Sequence, residues 1–229
     1  MTTRTLPLVL LAALVAGGCS VSGRVESEIE AALPSALGPA DRYQAAVEGV
    51  RLGDGTAERI DIVGERVARQ DAPVIDRLDV ELRGVRYDRR TKRILGAESA
   101  RATARVLAED LSDYLVRQRG VGDARVALQA PDRAVVRVRG EVRGLRLPAA
   151  EVRGRLTAEA GTVRLDVEDV RAGGLGLGGA VARQLSDRIN PVVDLTDESL
   201  ALRVTGVRVE GDELVLETTG DVAGLRLRR

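Results

Sequence analysis

The chain has 229 residues, and its 35 basic side chains are balanced by 35 acidic ones, so it carries no formal net charge. It contains no His, the commonest general base and metal ligand, which argues against a metal site or a His-dependent catalytic centre. Aromatic residues make up 1% of the chain. Without stacking side chains or a basic excess, nucleic-acid binding is not expected. The 44% of hydrophobic residues are nearly all aliphatic, which suffices for a core of Val, Leu, Ile and Ala.

The first residues are typical of an export signal. Arg4 precedes an apolar run from Leu6 to Ala16, which is shorter than the ~20 residues that a helix needs to cross a bilayer. Val15-Ala16-Gly17-Gly18-Cys19 then resembles the lipobox of bacterial lipoproteins, in which the cysteine is acylated and becomes the new N-terminus. This resemblance implies a lipid anchor on Cys19, such as a palmitate-bearing one, at the extracytoplasmic face of the cell membrane. An ordinary secretory signal followed by a chance cysteine is the alternative.

The chain is therefore divided into three parts. Residues 1–18 are interpreted as a lipoprotein signal peptide and residues 19–24 as a lipidated tether. Residues 25–229 are interpreted as a single domain, because no Pro-, Gly- or Ser-rich linker divides them.

Three segments have the periodicity of amphipathic helices. The first runs from Val25 to Leu33, and Pro34 is expected to kink or end it. The second covers about residues 107–118 and the third about 179–190, ended by Pro191. Their apolar stripes are Leu107, Leu111 and Leu115 in the second helix, and Val181, Leu185 and Ile189 in the third.

Between the helices, apolar and charged residues alternate with a period of two, as around residues 78–82, 136–142 and 163–167. Such strands have one dry face and one wet face, which predicts an antiparallel sheet and an α+β fold. A pattern of apolar residues that changes parity at a glycine occurs five times, at Gly49, Gly84, Gly144, Gly206 and Gly224. We expect either bulges that bend the strands into a strongly curved sheet wrapped around the helices, or strand ends at these glycines.

Residues 174–179 match the dinucleotide-binding pattern G-x-G-x-x-G. The preceding strand alternates charged and apolar residues, whereas the first strand of a dinucleotide-binding fold is buried on both faces. We therefore predict a mobile glycine loop that leads into a helix and gates an opening, and no cofactor.

If the protein is an enzyme, its catalytic groups are expected to be carboxylates. The candidate carboxylates are predicted to lie on solvent-exposed strand faces and helix exteriors, where charged side chains ordinarily serve only as a solvated surface. They are Asp110, Asp113, Asp166, Glu168 and Asp169. No calcium-loop spacing is present, so no metal site is predicted.

Several segments together resemble the LmeA-like phospholipid-binding family of bacterial envelope proteins. They are residues 75–85, 102–106, 109–115, 190–195, 200–209 and 211–220. The resemblance implies an exported, non-enzymatic protein with a fold like the tubular lipid-binding proteins and a role in maintaining envelope lipids or lipoglycans. The chain departs from the family pattern at Glu198-Ser199-Leu200, where Leu-Pro is usual, and in having no Phe.

We predict that phospholipid, or a related envelope lipid, binds with its acyl chains in an apolar groove closed by the helix stripes, with Arg side chains at the rim. The predicted lipid contacts are Leu111, Leu115, Val181, Leu185, Ile189, Val193 and Leu195. Ordinary core packing is the alternative for each of them. Two rival functions remain open: a lipoprotein with a packed core that binds a protein or the cell wall, and a carboxylate-dependent hydrolase.

Overall fold

Two antiparallel sheets and three helices form the part of the chain that the computed structural model describes, which is residues 21–51, 53–69, 71–88, 93–117, 121–142, 145–159, 161–194 and 202–222. This confirms the α+β class, while the predicted strong curvature around the helices stays a prediction. Over the described ranges, no helix combines the length and hydropathy needed to cross a membrane.

The helices are α1 (Val21–Leu37), α2 (Ala108–Val116) and α3 (Gly179–Ile189). The bounds of α2 and α3 are close to those predicted for the second and third helices. Pro34 does not end α1, because the helix continues for three residues beyond it. A kink at Pro34 stays a prediction. Proline frees the carbonyl four residues earlier, but Pro34 is exposed, while Leu33 and Leu37 are buried and hold the helix on the core. The helix ends at Gly38, whose φ is +108° and whose N–H donates to the Pro34 carbonyl at 3.1 Å.

The strands form two sheets, which we call sheet A and sheet B. In spatial order, sheet A consists of β1 (Arg42–Glu48), β2 (Thr56–Val67), β3 (Ile75–Asp88), β4 (Arg93–Leu107), β12 (Glu213–Val222) and β11 (Leu202–Glu210). Sheet B consists of β10 (Val193–Asp194), β8 (Thr162–Ala172), β7 (Leu145–Glu159), β6 (Arg133–Val142) and β5 (Val121–Gln129), and β9 (Leu175–Gly176) also pairs with β8.

The glycines at which the apolar pattern changes parity behave in two ways. Gly84 lies inside β3 with φ +59°, and the buried positions change parity from Leu82 on one side to Val85 on the other. Gly206 lies beside a shift in the β11–β12 register. Both agree with the predicted change of buried face, whereas Gly49 follows the end of β1. Gly144 and Gly224 lie outside the described residues.

Side chains of two helices bind the edge strands of the sheets. In sheet A, Glu26 and Glu30 of α1 each accept a hydrogen bond from the β1 backbone, at 3.0 Å from Val47 N–H and 2.8 Å from Ala45 N–H. In sheet B, Ser112 of α2 accepts one from Val126 N–H of β5 at 2.9 Å. These contacts satisfy edge groups that otherwise invite another strand.

The two sheets meet at β11. This strand packs against β7 and β8, and Val209 N–H donates to the Pro131 carbonyl in the β5–β6 turn at 2.7 Å. Buried side chains of both sheets and all three helices belong to one hydrophobic cluster.

Candidate functional site

The inward face of sheet B is an aliphatic surface made of cross-strand rows. Residues paired across antiparallel strands carry their side chains on the same face, so the register defines each row. One row, the valine row, is Val126, Val136, Val152 and Val170. The next, the alanine row, is Ala124, Val138, Ala150 and Ala172. The centres of both rows are buried, with Val152 at 0% and Ala150 at 1% exposure.

The alanine row continues beyond the sheet into the short strand β9. Ala172 is paired with Leu175, so the side chain of Leu175 lies on the same face as the row. Exposure rises along this line from 1% at Ala150 to 74% at Leu175, with Ala172 half-buried. The row therefore runs from the buried interior to the molecular surface.

Helix α3 covers this face of sheet B and is fixed at its C-terminal end. It packs on β8 and β6, with Leu185 and Ile189 buried. The side chain of Asn190 accepts a hydrogen bond from Leu165 N–H at 2.7 Å and donates one to the Leu165 carbonyl at 3.0 Å. At the other end Gly178 is the N-cap, and no side chain caps the helix there. The C-terminal end of α3 is thus held to β8 by side-chain hydrogen bonds, whereas at the N-terminal end the backbone N–H of Leu177 donates to the Val170 carbonyl at 2.9 Å.

Helix α2 contains a buried carboxylate that the sequence placed on the surface. Asp110 is 5% exposed and accepts two hydrogen bonds from the Arg66 guanidinium, at 2.6 and 2.9 Å. Asp76 also accepts one from Arg66 at 3.3 Å. The hydrogen bond to Asp110 is the main cause that raises the pKa of Arg66. The predicted exposure of Asp110 was wrong because its partner lies 44 residues earlier in the chain.

The other candidate carboxylates lie on the surface or pair with an arginine. Asp113, Asp166 and Glu168 are exposed, as expected for a solvated surface. Asp169 forms an ion pair with Arg171 at 2.7 Å. Among the described residues, no three His, Cys, Asp or Glu side chains are placed to hold a metal ion.

The structure places five of the predicted lipid contacts in the hydrophobic cluster: Leu111, Leu115, Leu185, Ile189 and Val193. Leu111 and Leu115 lie on α2, which packs on β5 and β4, so they are positioned over different strands from the α3 residues. Val193 is paired with Val163 at the β10 edge. The side chains of a packed core and those that line an acyl-chain groove are both buried, so burial does not distinguish the two. The lipid contacts therefore stay predictions.

The structure gives no side-chain position for three of the predicted site residues. Val181 lies in α3, but its side chain is not described, and Leu195 and Cys19 lie outside the described residues. The sequence reasoning missed the alanine row and Leu175. Their signal was weak, because period-two alternation identifies a strand face but not which strands are neighbours.

The G-x-G-x-x-G segment forms a hairpin. Gly173 and Gly174, with φ of +56° and +82°, make the turn between β8 and β9. The preceding strand β8 is antiparallel to its neighbours, so these glycines do not open the parallel βαβ unit of a dinucleotide site.

Comparison with known proteins gives a family. A model of the LmeA-like phospholipid-binding family matches residues 21–219, from α1 into β12. The chain belongs to the LmeA-like phospholipid-binding family. The family resemblance of the sequence is thereby confirmed. Neither a search of curated proteins nor a search of solved structures returned a match.

Membership of the LmeA-like family supports lipid binding as the function, and the aliphatic rows suit that chemistry. Acyl chains make non-directional contacts, so apolar area and exclusion of water matter more than hydrogen bonds. The valine and alanine rows supply such a surface without a charged or aromatic side chain.

Proposed function

We propose that this chain is an exported lipoprotein that binds phospholipid acyl chains in an apolar groove between sheet B and α3. It is anchored through Cys19 to the extracytoplasmic face of the cell membrane and supports the maintenance of envelope lipids or lipoglycans. The observation that carries this proposal is the alanine row on the inward face of sheet B, the sheet on which α3 packs, in a member of a phospholipid-binding family.

The alanine row suits an extended acyl chain because most of its side chains are short. Ala150 and Ala172 are neighbours that end at Cβ, so this part of the row lies lower than the neighbouring valine row and provides a strip for a chain of methylene groups. Val138 separates this strip from Ala124. Each CH₂ moved from water to such a surface contributes about 0.8 kcal/mol. An acyl chain lying along the row therefore binds by apolar contact alone.

The unequal attachment of α3 provides the way in. Its C-terminal end is held to β8 by the two hydrogen bonds of Asn190, while Gly178 and Gly179 begin the helix without a side-chain cap. We propose that the N-terminal end of α3 lifts to admit the chain. Glycine supports such a movement because its backbone is the least restricted.

The membrane anchor agrees with the start of α1. Residues 21–24, which the sequence assigned to a tether, are the first turn of α1. Acylation of Cys19 would therefore hold α1 close to the bilayer, because only Ser20 lies between Cys19 and the helix in the sequence.

The test is the lipid content of the protein purified from a bacterial host that acylates lipoproteins. Native mass spectrometry and organic extraction should show one phospholipid per chain in addition to the anchor. Ala150→Leu fills the centre of the alanine row and should at least halve the bound lipid. Its thermal midpoint should fall only slightly if the added side chain enters the groove. Ala127→Leu, at an exposed position on β5, is the matched control and should retain lipid.

Two results would contradict the proposal. A wild-type protein free of bound lipid that takes up none from vesicles would favour the partner-binding lipoprotein. If Ala150→Leu lowers the free energy of unfolding by the ~1–3 kcal/mol typical of overpacking and leaves the lipid content unchanged, the row belongs to an ordinary packed core.

A further inference from the structure

The hairpin formed by residues 172–178 carries the most exposed of the large hydrophobic side chains that the structure describes. Leu175 is 74% exposed, compared with 53% for Leu95 and 41% for Val116. Added Cβ atoms at Gly173, Gly174, Gly176 and Gly178 would meet nothing within 4 Å, so the tip of the hairpin is open to its surroundings, while Leu177 at its base packs against the hydrophobic cluster. Leu175 at this tip is therefore accessible to a surface that approaches the hairpin.

The hairpin is also free of negative charge. The segment between Asp169 and Asp187, which includes the hairpin and the start of α3, has no acidic residue. Its two charged side chains are Arg171 and Arg183. Arg171 is paired with Asp169, but Arg183 is exposed and forms no ion pair within the described ranges. A Cβ atom added at Gly179 would lie 3.8 Å from Nη1 of Arg183, so the guanidinium lies beside the base of the hairpin.

The start of α3 adds to this positive region. The helix begins at Gly179, and no side chain accepts hydrogen bonds from its first N–H groups. These groups carry the positive end of the helix dipole, which favours an anion such as a phosphate. Leu175 thus forms an apolar tip, and Arg183 and the start of α3 form a cationic base behind it. This arrangement matches a bilayer, in which an outer layer of phosphates covers the apolar layer.

We propose that the hairpin docks on the surface of an anionic phospholipid bilayer. Leu175 enters the apolar layer, and Arg183 with the start of α3 binds lipid phosphates. Because Leu175 continues the alanine row, docking joins the bilayer to the buried face of sheet B. This goes beyond the proposed function, since an anchored protein that holds lipid needs no inserted hairpin and no fixed orientation toward the membrane.

The first test measures insertion at the tip. The full chain carrying Cys19→Ser and Leu175→Cys has one thiol, which is labelled with an environment-sensitive fluorophore. Vesicles of phosphatidylcholine and phosphatidylglycerol, with or without a quencher fixed in the acyl region, are then added. We expect a blue shift and strong quenching at position 175. The same label at Leu95→Cys, on β4 of sheet A, should show neither.

The second test measures the cationic base. Arg183→Gln should weaken binding to the anionic vesicles about fivefold, the effect expected for one arginine near an anionic surface. Arg125→Gln removes an exposed arginine from β5 and should change binding less than twofold. With phosphatidylcholine alone, the difference between the two variants should disappear.

The outcomes separate this inference from the proposed function. A label at position 175 that stays in water on vesicle-bound protein would overturn the docking of the hairpin, and so would equal effects of Arg183→Gln and Arg125→Gln. If native mass spectrometry still finds bound phospholipid in these proteins, lipid binding stands and the hairpin inference alone fails.

Discussion

At the scale of single residues, Arg66 and Asp110 show how a distant contact fixes a side chain. Arg66 has φ +53°, a conformation that non-glycine residues rarely adopt. Its guanidinium binds both oxygens of Asp110, a geometry that combines charge with direction. The pair joins the end of β2 to the first turn of α2, so its role is to position the helix.

We therefore expect Asp110→Asn to lower the free energy of unfolding by about 2 kcal/mol, the range for hydrogen bonds to charged groups. Asp113→Asn, at an exposed position on the same helix, should change it by less than about 0.5 kcal/mol. Urea unfolding at neutral pH measures both. Equal stability of the two variants would contradict a positioning role for Asp110.

Tyr43 gives a pH dependence. Burial raises the pKa of its hydroxyl from 10.0 to about 12, partly offset by the charge of Arg69. The hydroxyl also donates to the Gly38 carbonyl at 2.8 Å. Because the folded state holds this proton more tightly than the unfolded state, the stabilisation is complete below pH 10 and is lost between pH 10 and about 12.

The free energy of unfolding should accordingly decline across this interval, and Tyr43→Phe should remove part of the decline. Urea unfolding at several pH values from 9 to 12 checks this, with the wild-type chain as the reference. A Tyr43→Phe profile that runs parallel to the wild-type profile would refute the assignment.

At the scale of elements, α1 acts as the cover of an edge strand. Successive turns of the helix present Glu26 and Glu30, and these carboxylates bind the N–H groups of Val47 and Ala45. Residues four apart on a helix lie about 6 Å apart along its axis, close to the two-residue repeat of a strand edge. This match explains why one helix face serves both β1 and the core.

Replacing Glu26 and Glu30 together by Ala should speed amide hydrogen exchange at Ala45 and Val47 by at least tenfold, because their acceptors are lost. Glu28→Ala, on the same helix with an exposed side chain 3.9 Å from Arg24, is the control. NMR or mass spectrometry measures the hydrogen-exchange rates of these amides in the wild-type chain and in both variants. Unchanged exchange at both amides in the double variant would show that α1 protects the edge by packing alone.

The elements themselves were largely predictable from the sequence. Helical and period-two spacing identified α2, α3 and the strands around residues 78–82, 136–142 and 163–167, because periodicity reports which face of an element is dry. The length of α1 was not predictable in this way. Packing of Leu33 and Leu37 outweighs the local cost of Pro34, and that packing depends on residues far along the chain.

At the scale of the whole molecule, the two sheets share one hydrophobic cluster and meet at β11. All three tyrosines lie in sheet A or α2, at positions 43, 87 and 114, and the chain has no Trp. Tyrosine fluorescence therefore reports on sheet A through Tyr43 and Tyr87, and on the contact of α2 with β5 and β4 through Tyr114. Far-UV circular dichroism reports on the strands of both sheets.

We expect both signals to follow one cooperative unfolding transition, since no part of the shared cluster can open without exposing apolar surface of the other sheet. Chemical denaturation followed by the two signals tests this. Separated midpoints would mean that sheet B unfolds independently, which would contradict the single domain predicted for residues 25–229.

The sequence by itself determined the aliphatic character of the interior, the α+β class, the approximate limits of two helices and the family. These depend on composition, on local periodicity and on segments that keep their order along the chain. The tertiary structure alone decided that Asp110 is buried against Arg66, and that Ala124, Ala150, Ala172 and Leu175 form one line. The physical reason is that cross-strand neighbours and buried ion pairs are set by long-range pairing, whereas alternation along a strand specifies a face but neither its partner nor its register.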